Sequence, residues 1–78
     1  MPTYTYAQIT TALRKAGFVR TGQSAHTCWQ HIEVDGSTRR VVVPADPVAT
    51  VPRAVLDRLL QQAGFGEGEL RRYLGWAA

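Results

Sequence analysis

His26 and His31 are the only histidines in the chain, and Cys28 is the only cysteine. On a β-strand a five-residue separation gives opposite parity, so the two imidazoles belong to opposite faces and do not share a metal ion. No Asp or Glu stands at ligand spacing to either one, so the sequence offers no metal site. No serine lies in a nucleophile-elbow context. Gly64, Gly66 and Gly68 alternate, which is not the spacing of a phosphate loop. What remains is an imidazole among arginines, with Arg20 shortly before His26 and Arg39-Arg40 on the following segment. Fixed cations hold a phosphate and neutralise developing charge, and an imidazole moves a proton near neutral pH. That combination suits a phosphodiester. In RNA the 2′-hydroxyl is itself the nucleophile, so the chemistry needs no cofactor. Arg39-Arg40 also reads as a solvated strand end. Trp29 reads first as core and second as a surface on which a base stacks.

The elements that must position these groups follow from local signals. Thr5 and Gln8 form a capping box. Tyr6, Ile9, Leu13 and Ala16 then make one apolar stripe, and Gly17 ends the helix as a left-handed residue with Phe18 packing back on Leu13. Residues 18–21 read as a short strand, Gly22-Gln23-Ser24-Ala25 as a polar turn, and His26 to about Val34 as a longer strand. Neither parity of that strand is cleanly apolar. Asp35-Gly36 signals a hairpin turn with positive φ at both residues. Thr38 to Val43 is the third strand, and its run of three valines predicts a central, well-packed place. Pro44, Pro47 and Pro52 bound a loop, with Pro52 in the first turn of the next helix. Val55, Leu56, Leu59, Leu60 and Ala63 form the apolar face of that helix, which ends at Gly64-Phe65. A last short helix starts near Glu67, with Leu70, Tyr73 and Leu74 inward, acids in its first turn and Arg71-Arg72 near its end. The expected fold is α+β, a two-layer sandwich of order α-β-β-β-α-α with helices on one face of a three-stranded antiparallel sheet.

At 78 residues the chain makes a single domain, 1–78, which buries roughly 60% of its unfolded surface. Apolar residues make up 45% and charged ones 19%, a globular balance. The formal charge is +3, and eight of the nine cations are Arg, with Lys15 the one lysine. Arginine forks phosphate and carboxylate bidentately, which fits an anionic partner. One cysteine makes no internal disulfide. No apolar run reaches membrane-spanning length, and Met1-Pro2-Thr3-Tyr4 lacks the features of a signal peptide. The expected location is the cytoplasm.

The order of these pieces resembles the HicA family, small mRNA-cleaving toxins of toxin–antitoxin pairs. The likeness runs from about Ile9 to Leu74. It is carried by Leu13-Arg14-Lys15-Ala16-Gly17-Phe18, Ser24-Ala25-His26, Trp29, His31, Asp35-Gly36, Val41-Val42-Val43-Pro44 and the helix ending Gln62-Ala63-Gly64-Phe65. The resemblance implies a double-stranded-RNA-binding-domain-like fold. It also implies metal-independent endoribonuclease activity on mRNA, with the histidine of the Gly-x-His segment as the catalytic residue, which is His26 here. His31 matches a frequent, non-catalytic histidine, with a turn-capping or partner-contacting role. The implied partner is a HicB-type antitoxin in a hetero-oligomeric complex. Two departures stand out. Ser24-Ala25 replaces a glycine-rich pair, and the lysine-rich flanks of many relatives are missing, which leaves RNA binding to Arg20, Arg39 and Arg40. The alternative is a non-catalytic RNA-binding module of the same fold, although the lysine-rich loop that a duplex binder presents is absent. A third is a structural subunit whose cationic face meets an acidic protein.

Overall fold

The computed structural model describes residues 3–21, 26–44, 46 and 48–76, and for His26 the backbone alone. The Gly22–Ala25 turn and Pro47 lie outside the described residues. Six elements run in the order α1 (Tyr6–Lys15), β1 (Val19–Thr21), β2 (His26–Ile32), β3 (Thr38–Pro44), α2 (Arg53–Ala63) and α3 (Glu67–Tyr73). The architecture is the expected α+β arrangement: three helices and an antiparallel three-stranded sheet.

The local signals place the ends of α1 closely. Thr5 is the N-cap, its hydroxyl accepting from the Gln8 amide while the Gln8 side chain accepts from the Thr5 N–H. At the other end Gly17 takes φ 99°, and the Phe18 and Gly17 N–H groups donate to Leu13 and Arg14. This is the double bond of a Schellman ending. Gly64 (φ 84°) ends α2 in the same hand, with its own N–H and that of Phe65 donating to Leu60. Pro52 lies one residue earlier than expected. It is the N-cap of α2, and its carbonyl accepts the first helical bond, from Leu56.

The sheet order is β1-β2-β3, so β2 is central and β3 lies at an edge. The valine run predicts the opposite. Val41 and Val43 are fully buried because α2 packs across their face of the strand, while Val42 points the other way and is 48% exposed. The β-branched density therefore records burial on one face. Pro44, which ends β3, is compatible with an edge position.

The hairpin also differs from its expectation. Only Gly36 has positive φ (89°), and Asp35 does not. Glu33 accepts from the Gly36 N–H (2.9 Å) and donates to Ser37 (2.7 Å), which leaves three loop residues and ends β2 at Ile32 instead of Val34. Asp35 accepts from both the N–H and the hydroxyl of Ser37, and these bonds hold its carboxyl below the usual value.

The core lies between the helices and one face of the sheet. Leu13, Ile9 and Ala12 of α1, Trp29, Val41 and Val43 of the sheet, Leu56 and Leu59 of α2, and Leu70 of α3 are all buried. The first and last described segments are fastened to this core. Val51 donates to Tyr4 and Tyr6 to Ala49, pairing the N-terminal segment with the loop before α2. The Tyr4 ring stacks on Trp76 at 5.2 Å, and its hydroxyl donates to Glu67.

Candidate functional site

The ladder register decides which face each residue occupies. Thr27 pairs with Val43, Trp29 with Val41 and His31 with Arg39, and this parity faces the helices. His26 pairs with Pro44, Cys28 with Val42, Gln30 with Arg40 and Ile32 with Thr38, on the parity that no helix covers. His26 and His31 thus fall on opposite parities, as their spacing predicts.

The register also separates the arginines. Gln30 and His31, opposite Arg40 and Arg39, stand four and five residues from His26, about 13–17 Å along the strand. Arg39 and Arg40 therefore do not converge on His26, contrary to the grouping expected from adjacent strands. Each has another partner. Arg39 pairs with Glu33, whose other oxygen lies 3.2 Å from His31 Nδ1. The Arg39 guanidinium also lies against the C-terminal end of α2. A Cβ on Gly64 would come within 2.6 Å of its central carbon. Arg40 sits opposite Gln30, whose amide oxygen, turned toward it, accepts two bonds at 3.1 and 3.2 Å.

His31 belongs with Arg39. Its ring meets Phe18 at 5.3 Å, and a Cβ on Gly17 would approach within 3.2 Å of it. The left-handed glycines that end α1 and α2 thus leave room for His31 and Arg39, joined through Glu33. This is a structural cluster that ties both helix ends to the sheet. Neither the capping of the Asp35-Gly36 turn nor a partner contact is needed to account for His31.

Arg20 has a different setting. It pairs with Trp29 on β1, on the helix-facing parity and at the open margin of the sheet. There it lines a cleft of about 160 Å³ together with Tyr6, Thr10 and Arg14 of α1, Thr27 of β2 and Pro44 of β3. Among the described residues lining this cleft none is acidic, and neither Arg14 nor Arg20 forms an ion pair. His26 precedes Thr27 in the chain and pairs with Pro44 across the ladder, so two of the cleft's lining residues are its immediate neighbours. A second groove, lined by Val42, Val55, Arg58, Leu59 and Gln62, shares Tyr6 and Pro44 with the first.

Trp29 is 3% exposed, so its ring is part of the core, not an open platform for a base. Its Nε1 donates to the Thr27 hydroxyl (3.1 Å), which donates onward to the Val43 carbonyl. The Arg14 guanidinium lies 5.8 Å from the centroid of the indole. Arg14 is the residue that sequence reasoning misses. Its signal is periodic: Ala7, Thr10 and Arg14 recur at helical spacing beside the buried stripe, and this face meets the cleft.

Among the described residues no group of three or more His, Cys, Asp or Glu could hold a metal ion. None of their helices is long and apolar enough to cross a membrane. No protein-family model, curated protein or solved structure matches the chain.

Proposed function

We infer that the protein is a toxin-type endoribonuclease that cleaves mRNA, with His26 as the proton-transfer residue. The observation that carries the reading is the position of the His26 backbone. It precedes Thr27 and pairs with Pro44, two residues that line an acid-free cleft whose rim bears two guanidinium groups without an ion pair among the described residues. By register His26 belongs to the open face of the sheet and Arg20 to the helix-facing one, so the substrate must pass round this strand end to meet both. The likeness to HicA toxins and the α-β-β-β-α order, read as a double-stranded-RNA-binding-domain-like fold, support it.

In this reading a single strand of RNA lies along the grooves on either side of Pro44. His26 takes the proton of a ribose 2′-hydroxyl, or returns one to the leaving group. The 2′-oxygen attacks phosphorus and the bond to the 5′-oxygen breaks. That oxygen takes up a proton, leaving a 2′,3′-cyclic phosphate and a 5′-hydroxyl. Arg20 holds the phosphate and offsets the charge that builds on its oxygens. Arg40 and Arg39 pair four and five rungs from His26, so Arg20 is the proposed contact to the reacting phosphate.

A HicB-type antitoxin is the proposed partner, in a hetero-oligomeric complex. The open sheet face supports a protein partner, since Val19, Ile32 and Val42 are exposed by 65%, 73% and 48% there. The test is RNA cleavage by the purified chain in the presence of a chelator, with the product ends identified. Cyclic phosphate and 5′-hydroxyl ends are expected. Cleavage that requires an added divalent cation would overturn the metal-free route. Tight RNA binding without cleavage would favour a non-catalytic RNA-binding module.

A further inference from the structure

We propose that Arg14 and Arg20 together form a phosphate subsite for single-stranded RNA, with Trp29 holding the Arg14 guanidinium in place. This rests on the ribonuclease reading above and adds a residue and a ligand group to it.

Three observations carry the assignment. First, the two cations come from different elements, the last turn of α1 and the short strand β1, yet line one cleft. A guanidinium is a planar fork matched to two oxygens of a phosphate, so two such forks in one acid-free cleft are suited to an oxyanion. Second, the other cations on the sheet are engaged, Arg39 by Glu33 and Arg40 opposite Gln30, while Arg14 and Arg20 have no ion pair among the described residues. Third, Arg14 is held by a rigid element. The indole under it is 3% exposed and tethered through Thr27 to the Val43 carbonyl. A side chain already ordered over an aromatic ring gives up less rotamer freedom when it binds.

Arg14 also sits where a cation offsets the negative end of the α1 dipole, and that role alone would explain its charge. Lys15 separates the two explanations. It lies in the same last turn but does not line the cleft.

The experiment uses the full chain with His26→Ala, so that RNA stays intact. A labelled single-stranded RNA is titrated over a range of salt concentrations, alone and against inorganic phosphate or poly-glutamate of equal length. Arg14→Gln keeps the aliphatic stem over Trp29 and loses the fork. Arg14→Gln and Arg20→Gln are each expected to weaken RNA binding about tenfold. Each should also lower the log–log salt slope by about 0.7, the value for one phosphate contact on a single strand. Lys15→Gln is expected to leave affinity within about twofold. Inorganic phosphate should compete only at far higher concentration than RNA. Unchanged binding by Arg14→Gln, an equal loss in Lys15→Gln, or equal competition by poly-glutamate overturns the subsite. If Arg14→Gln does not fold, Arg14→Lys keeps charge and stem without the fork. At least threefold weaker binding is then expected, and unchanged binding overturns the proposal. The two readings fail separately. A parent chain that binds RNA through Arg14 but never cleaves it defeats the ribonuclease reading alone. A parent that cleaves, with Arg14→Gln binding and cleaving equally well, defeats the subsite alone.

Discussion

His26 pairs with Pro44 at the end of the β2–β3 ladder, and that rung adjoins the Arg14–Arg20 cleft. The opposite end of the same ladder holds His31, Arg39 and Glu33 and serves the packing of two helix ends. One strand thus carries a candidate reactive end and a structural end.

The division predicts unequal effects of removing the arginines. Arg20→Ala should lower RNA cleavage by tenfold or more, the order expected from losing one charged hydrogen-bond donor. Arg40→Ala should leave it within about threefold, since Arg40 lies four rungs from His26. Arg39→Ala should change thermal stability more than cleavage, because it removes the partner of Glu33. Initial rates on one RNA substrate, beside melting curves, check all three.

The glycines give a second contrast. Gly64→Ala places a Cβ at φ 84° and against the Arg39 guanidinium, and should destabilise the fold by about 1–3 kcal/mol. Gly68, within α3, has open space where a Cβ would stand, with nothing within 4 Å. Gly68→Ala should therefore stabilise the helix by about 0.5–1 kcal/mol. Urea titration of both variants reads the two signs directly.

Acid should loosen the α2–α3 corner. The Arg53 guanidinium, and next the Tyr4 hydroxyl, both bonded to the Glu67 carboxylate at 2.8 Å, hold its pKa below the ordinary 4.5. A carboxyl with a lowered folded pKa contributes stability that is fully present above the unfolded value and is lost as pH falls through the folded one. The melting temperature should fall below about pH 4.5 in the parent, and fall less steeply in Glu67→Gln. Parallel slopes in the two proteins would remove Glu67 from the account.

Legibility from the sequence followed the range of the interactions. Thr5, Gln8 and Gly17 fix α1 through bonds within a few residues, so its limits could be read from the chain. The valines of β3 indicated burial but not sheet order, because order depends on which strands pair, and one buried face gives the same composition as a central place. The helix-facing side of β2 was illegible because Thr27 and His31 flank Trp29 on it, and their polar groups meet the Val43 carbonyl and Glu33, which only the fold brings beside them. The distance of Arg39-Arg40 from His26 could not be read from the chain, because it depends on the register in which β2 and β3 pair. Arg14 goes unnoticed in the chain because only the fold sets it over Trp29 and in one cleft with Arg20.

The most direct test of the account is expression of the chain alone in a bacterium, beside His26→Ala at equal protein level, with growth and mRNA followed over time. The account predicts growth arrest and loss of mRNA with the parent and neither with the variant. Equal arrest by both proteins, or none by a well-expressed and folded parent, would contradict a catalytic His26.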